Sequence, residues 1–159
     1  IALVGRNGCG KSSLLKLLIG QPIAHTGTLE IGSRLTVSYV PQDMSFLSGS
    51  ADDFAAESEI DITLFKTILR KLDFKRTQFT KDMSEFSMGQ KKKVLLARSL
   101  CQRANLYIWD EPLNYIDVIS RLQIETLILE YKPTMLFVEH DEAFVNDIAT
   151  KVCRISLNQ

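Results

Sequence analysis

The stretch IALVGRNGCGKSS, Ile1 to Ser13, contains the pattern that decides the fold. Gly5 is followed by four residues and then by GKS at 10–12, which is the spacing of a phosphate-binding loop between a strand and a helix. The apolar residues before the loop predict a buried strand, and SSLLKLLI after it predicts a helix that ends at Gly20. An ordinary strand-to-helix turn does not need this spacing, so we interpret the stretch as a nucleotide site.

The residue types in this loop suit phosphate groups. Gly8 and Gly10 carry no Cβ atom, which lets successive backbone N–H groups turn inward, and the helix N-terminus adds the positive end of its dipole. Lys11 is predicted to reach the β- and γ-phosphates, and Ser12 to offer its hydroxyl to Mg²⁺. The predicted nucleotide-binding residues are Gly5, Asn7, Gly8, Cys9, Gly10, Lys11, Ser12 and Ser13.

Composition limits the classes of protein to which the chain can belong. It has 159 residues, 45% of them hydrophobic, which is enough for one core in a single domain. Nineteen basic residues balance nineteen acidic ones, so total charge indicates neither a nucleic-acid nor a membrane partner. No apolar run approaches the roughly 20 residues of a membrane span, so we expect no direct membrane insertion. Three cysteines without metal-ligand spacing favour a reducing, cytoplasmic compartment.

Strands and helices alternate along the chain. NLYIW and TMLFVEH have the character of strands that each follow a helical stretch, which predicts an α/β fold with a mostly parallel sheet flanked by helices. The alternation in TLEIG (28–32) and RLTVSYV (34–40) predicts a small antiparallel β element. Apolar residues at helical spacing predict a helical insertion over about 50–100. Because the chain starts and ends inside apparent strands, we expect 1–159 to be one truncated nucleotide-binding domain.

Two adjacent carboxylates, Asp110 and Glu111, follow the apolar strand NLYIW. An unpaired buried charge is costly, so these side chains are expected at the exit of the strand rather than inside the core. Asp110 is predicted to hold Mg²⁺, directly or through water, and Glu111 to polarise an attacking water. Beside the phosphate loop, this function is favoured over that of surface acids.

Three further segments place polar residues at the end of a predicted strand or the start of a predicted helix. PQD contains Gln42, FSMGQ contains Ser87, Gly89 and Gln90, and EHD contains His140. With GRNGCGKSS, YIWDEP and NYID, their order resembles that of the ATP-binding cassette (ABC) family of P-loop NTPases. In that family the motifs, in order along the chain, are the phosphate loop, the glutamine loop, the LSGGQ signature, the Asp-Glu strand, the aspartate loop and the histidine switch. The resemblance covers essentially the whole chain and implies ATP and Mg²⁺ as cofactors.

The resemblance also implies a role for each matching residue. Gln42 would sense Mg²⁺ and the attacking water, Glu111 would be the catalytic base, and His140 would contact the γ-phosphate. The implied catalytic residues are therefore Gln42, Glu111 and His140, and the implied metal site consists of Ser12, Gln42 and Asp110.

A second set of implied roles concerns another cassette, because two domains of this family pair head to tail and bind two ATP molecules between them. Asp117 would lie at the dimer interface. Ser87, Gly89 and Gln90 would address the nucleotide held by the other cassette. Met88 replaces the first glycine of the signature, which is expected to weaken this half-site.

The run DEPLNYIDVISRLQIE (110–125) resembles the soluble ABC-F branch, and within it the antibiotic-resistance ribosome-protection factors of the lincosamide, streptogramin A and pleuromutilin type. The resemblance implies an ATPase without a membrane domain that acts on the ribosome, with rRNA or tRNA as partner. The alternative is the cytosolic ATPase of a membrane transporter. A non-catalytic scaffold is disfavoured because the chain has Lys11, Asp110, Glu111 and His140.

Basic residues in the middle of the chain leave two interpretations open. Those between Lys66 and Arg76 are consistent with contacts to RNA phosphates or with a solvated helix face. For the run from Lys91 to Lys93, we expect solvation.

Overall fold

The computed structural model describes residues 1–156, which form a sheet and the helices that cover it. The strands are β1 (Ala2–Val4), β2 (Val37–Val40), β3 (Leu106–Asp110), β4 (Met135–Val138) and β5 (Val152–Arg154). The α-helices are α1 (Lys11–Leu18), α2 (Ala51–Glu57), α3 (Ile62–Lys71), α4 (Met88–Cys101), α5 (Val118–Tyr131) and α6 (Glu142–Ile148). Two short 3-10 helices occupy Arg76–Gln78 and Met83–Glu85.

All strand pairs of the sheet are parallel, and the spatial order is β2-β3-β4-β1-β5. This observation confirms the α/β fold with a parallel sheet flanked by helices. Since the strands run in one direction, their carboxyl ends share one edge of the sheet, which is where open α/β sheets bind ligands. The phosphate loop, Gln42, Asp110 and His140 all follow or end strands at this edge.

Alternate side chains of the central strands contribute to two different cores. On one face, Ile108 and Val138 pack with Leu15 of α1. On the other face, Trp109 and Phe137 join the core formed with the remaining helices. Because both faces of the sheet centre are covered, β1 and β4 are apolar throughout rather than alternating, whereas the edge strand β5 is exposed.

The predicted antiparallel element is wrong. Every residue of 28–32 is exposed and none of them forms a strand, whereas the second segment supplies β2, which pairs in parallel with β3. Val37 lies beside Leu106 and Val40 beside Trp109 in this register. Alternation of apolar and polar residues indicates a half-buried strand, but it does not specify the strand's partner.

Helices form where the apolar residues of the middle block repeat at helical spacing. Phe65 and Leu69 of α3 are fully buried in the core shared with α4. The start of α3 is fixed by the Asp61 carboxylate, which accepts a hydrogen bond from the Leu64 N–H at 2.6 Å. Across residues 1–156, no helix is both long enough and apolar enough to cross a bilayer.

Candidate active site

The loop between β1 and α1 forms an open backbone cradle. Gly8 and Gly10 have φ angles of +77° and +93°, and nothing lies within 4 Å of the place where a Cβ atom would stand. Glycine is needed here because L-residues rarely adopt this conformation, not because the loop is crowded. Gly5 is different, since its Cβ would lie 2.6 Å from the Ile155 oxygen and 2.7 Å from Cys9 Sγ.

The Lys11 side chain folds back over this loop. It is 6% exposed, and its Nζ donates to the Gly5 oxygen at 2.9 Å and to the Arg6 oxygen at 3.1 Å. Both acceptors are neutral carbonyls, and a buried charge without a counter-charge is costly. A phosphate group would accept a hydrogen bond from the third ammonium hydrogen and would supply the negative charge that the two carbonyls lack.

A cavity of about 480 Å³ joins the loop to side chains from three other strand ends. Its lining consists of Asn7, Gly8, Gly10, Lys11, Ser12, Ser13, Gln42, Glu111 and His140. A second cavity of about 620 Å³ shares Ser12 and Gln42 with the first and extends to Asp110. The two cavities are therefore lined by most of the residues that were predicted from separate sequence motifs.

The side chains of Gln42, Glu111 and His140 meet in this cavity. Gln42 Nε2 donates to Glu111 Oε2 at 2.7 Å, and His140 Nε2 lies 3.5 Å from Glu111 Oε1. Asn114, which sequence reasoning missed, donates its Nδ2–H to Glu111 Oε2 at 2.5 Å. Glu111 has a φ of +50°, a conformation that is uncommon for a residue other than glycine. A carboxylate held by two amides and facing an imidazole is suited to accept a proton from water.

The Asp110 carboxylate has the properties of a cation ligand. It is 1% exposed, and its Oδ1 has no hydrogen-bond partner within residues 1–156. Burial raises the pKa of Asp110, and a hydrogen bond from Ser12 partly opposes this effect. Because an orphaned buried carboxylate oxygen is costly, and because Mg²⁺ prefers oxygen ligands, Asp110, Ser12 and Gln42 fit the predicted metal site.

Glu139, which sequence reasoning also missed, fixes the loop that carries His140. The carboxylate is 5% exposed; Oε2 accepts from the Leu113 N–H at 3.1 Å and Oε1 from the His140 N–H at 2.7 Å. Asp141, which follows His140, accepts two hydrogen bonds from the Arg121 guanidinium at 2.6 and 2.8 Å. These bonds lower the pKa of Asp141 to about 2. The segments after β3 and β4 are thus tied to each other and to α5.

The predicted signature residues lie at the start of α4 and do not line the phosphate cavity of this chain. Ser87 caps the helix by accepting from the Gln90 N–H at 3.3 Å, and Gln90 Oε1 accepts from the Ser87 N–H at 2.9 Å. This reciprocal arrangement is a capping box. Met88 is 45% exposed at the same helix end. Contact of this helix start with a nucleotide held by another cassette therefore stays a prediction.

Asp117 caps α5 and forms an ion pair with Lys93 at 2.6 Å. Burial acts to raise the pKa of Asp117, but hydrogen bonds from Lys93 and Ser120 outweigh it and hold the pKa well below its usual value. Lys93 is 8% exposed and Lys92 is 0% exposed, so the expectation that they are solvated is wrong. Their apolar stems are buried while the ammonium groups reach oxygen acceptors, which residue type alone does not predict.

Gly89 lies against the segment that follows Glu111. A Cβ atom at Gly89 would lie 2.5 Å from the Tyr115 backbone oxygen, which cannot rotate away. We expect Gly89→Ala to lower the free energy of unfolding by about 1–3 kcal/mol through this overlap. Denaturant unfolding measures the change, with Gly32→Ala as control because nothing lies within 4 Å of that site. Equal midpoints for the two variants would contradict this close packing.

Comparison with known proteins identifies the family to which this chain is similar. The model of the "ABC transporter" family matches residues 1–114. ATP-binding protein Uup of Escherichia coli is 35% identical over 159 residues, which cover 95% of this chain and 25% of that relative. ABC transporter F family member 2 of Arabidopsis thaliana is 30% identical over 161 residues, with 98% and 24% covered.

A solved structure of the archaeal ribosome recycling factor aABCE1, in complex with the ribosomal stalk protein aP1, is also similar. It has a TM-score of 0.77 and 28% identity, and the match covers 97% of this chain and 31% of that chain. The chain thus spans about a quarter of the length of the two curated relatives. The family match and the curated relatives show that this chain belongs to the ABC transporter family and is an ABC ATPase domain of the ABC-F type, which binds ATP with Mg²⁺.

Proposed function

We propose that this chain is the ATP-hydrolysing cassette of a cytoplasmic ABC-F protein that acts on the ribosome and confers antibiotic resistance by ribosome protection. The observation that carries the hydrolytic part is the Glu111 carboxylate, which Gln42 and His140 approach beside the phosphate loop. Likeness of nearly the whole chain to an ABC-F relative and to a ribosome recycling factor supports the ribosomal part.

Within this proposal, each part of the site has a distinct task. Lys11 and the loop bind the phosphates, while Ser12 and Asp110 hold Mg²⁺ together with Gln42. The metal ion, when bound, neutralises charge on the phosphates. Glu111 takes the proton from the attacking water, and the side chain of Gln42 keeps the carboxylate turned toward the cavity.

The proposal includes a second cassette, either on the same longer protein or in a homodimer. Ser87, Gly89 and Gln90 lie at a helix N-terminus, where backbone N–H groups and the helix dipole favour an anion. Because they do not line this chain's own phosphate cavity, we assign them to ATP held by the other cassette, with Asp117 at the interface.

A basic surface supports RNA as the partner. We define it by Arg70 and Lys71 at the end of α3 and by Lys75 and Arg76 just beyond; all four side chains are exposed. None of them forms an ion pair within residues 1–156, whereas Lys66 is paired with Asp52 at 2.7 Å. Four unpaired cations in a short segment suit the phosphate backbone of ribosomal RNA.

Sedimentation of the complete protein with ribosomes tests the ribosomal role. We expect the wild-type protein to sediment with ribosomes in the presence of ATP. Charge reversal of Arg70, Lys71, Lys75 and Arg76 to glutamate is expected to weaken binding at least about tenfold and to flatten its salt dependence. Charge reversal at Lys151 and Arg154 is the control, because both side chains are exposed and belong to the region of β5, the edge strand next to β1.

Three outcomes would each contradict a part of the proposal. Wild-type protein that never sediments with ribosomes would favour the transporter alternative, and equal binding by the two sets of variants would remove the basic surface from the interface. Resistance itself is measured as the minimum inhibitory concentration of lincosamide, streptogramin A and pleuromutilin antibiotics in a susceptible strain that expresses the protein. An unchanged concentration for all three classes would exclude the resistance role.

A further inference from the structure

Lys92 is a fully buried lysine in α4 whose hydrogen bonds go to the backbone of two strand ends. Its Nζ donates to the Pro41 oxygen at 3.2 Å and to the Asp110 oxygen at 3.5 Å. Pro41 directly follows β2, and Asp110 is the last residue of β3. One ammonium group therefore bridges two neighbouring strands at the edge of the sheet where the nucleotide site lies.

The two carbonyl groups immediately precede the hydrolytic pair. Gln42 follows Pro41 and Glu111 follows Asp110, and the two side chains are joined by the 2.7 Å bond from Gln42 Nε2 to Glu111 Oε2. We propose that Lys92 is a positioning residue for ATP hydrolysis, which holds these two backbone turns at the spacing that lets Gln42 and Glu111 meet. The inference rests on the proposed function in one respect, namely that Glu111 acts in hydrolysis.

The charges around Lys92 support this role. Burial lowers the pKa of Lys92, while the carboxylates of Asp110, Glu111 and Glu139 act in the opposite direction. Three carboxylates in one region repel each other, and a buried cation reduces that repulsion. An apolar side chain in its place would leave both carbonyls without this donor and the carboxylates without this counter-charge.

Lys92 acts on the pair without touching the reacting groups. It does not line either of the cavities that the phosphate loop and the hydrolytic residues form. The phosphate-binding residues Lys11 and Ser12 lie in a separate loop that Lys92 does not contact through its hydrogen bonds. Because Lys11 and the phosphate loop keep their contacts, loss of Lys92 should slow the chemical step far more than it weakens ATP binding, since small misplacements of catalytic groups are costly in rate.

Steady-state ATP hydrolysis by the complete protein tests the inference. We expect Lys92→Met to lower kcat by about tenfold while KM for ATP stays within about twofold of the wild-type value. Lys92→Gln, which keeps a hydrogen-bond donor but not the charge, should recover part of the rate. Lys81→Met is the matched control, because Lys81 is exposed and should behave as the wild type.

An unchanged kcat in Lys92→Met would overturn the inference. A rise in KM or a fall in nucleotide affinity that matches the loss of rate would overturn it too, because that pattern indicates a structural role only. If Lys92→Met does not fold, the kcat and KM of Lys92→Gln decide by the same criteria. Glu111→Gln, measured in parallel, separates the two hypotheses: full hydrolysis by that variant refutes the proposed function, whereas its inactivity beside normal Lys92 variants refutes the positioning role.

Discussion

Replacement of Glu111 by glutamine is expected to lower ATP hydrolysis by about 10²- to 10⁴-fold and to leave ATP binding intact. Glutamine has nearly the shape of glutamate, so the bonds from Gln42 and Asn114 can still find an oxygen acceptor. What the amide cannot do is accept a proton from water at neutral pH. The phosphate contacts of Lys11 lie in another segment and should be unaffected.

Phosphate release and equilibrium nucleotide binding measure the two halves of this prediction. Glu57→Gln is the control, since Glu57 is an exposed carboxylate at the end of α2. If two cassettes close on ATP, the Glu111→Gln variant should also accumulate as the ATP-bound closed pair, visible by gel filtration. Hydrolysis at the rate of the parent protein would refute the assignment of Glu111 as the base.

Replacement of Lys11 by alanine is expected to weaken binding of Mg-ATP by roughly 30- to 150-fold, the equivalent of about 2–3 kcal/mol for charge-assisted hydrogen bonds. The Lys11 side chain is largely buried, and its ammonium is held by two neutral carbonyls at the phosphate cavity, so it is positioned to bind a phosphate. Isothermal titration of the complete protein measures the affinity. Lys151→Ala, at an exposed lysine, is the control.

Protein stability distinguishes loss of binding from loss of fold in this variant. Without nucleotide, removal of Lys11 eliminates a cation that has no counter-charge among its hydrogen-bond partners but also deprives the Gly5 and Arg6 oxygens of a donor. These effects oppose each other, so the midpoint of thermal unfolding should change by no more than about 4 °C. With saturating Mg-ATP, the wild-type protein should gain stability that the Lys11→Ala variant lacks. Unchanged affinity for Mg-ATP would refute the phosphate-binding role of Lys11.

The geometry of the phosphate loop was predictable from sequence because its parts are local. The conformations of Gly8 and Gly10 and the first turn of α1 involve adjacent residues, so their spacing alone indicated the loop. Asp110 and Glu111 were recognisable because carboxylates at the end of an apolar strand are expected at its exit. Parallel pairing of the strands then places the phosphate loop and these carboxylates at one edge of the sheet.

Only the tertiary structure decided which distant groups each strand and side chain contacts. The partner of β2 is β3, about 70 residues along the chain, and alternation of residue types carries no information on that choice, so the predicted antiparallel element was wrong. Burial of Lys92 depends in the same way on the Pro41 oxygen, 51 positions away in sequence, and Glu139 on the Leu113 N–H, 26 positions away. Such contacts are set by how the helices pack on the sheet, because local residue types specify a helix face but not the acceptor that a long polar side chain will reach.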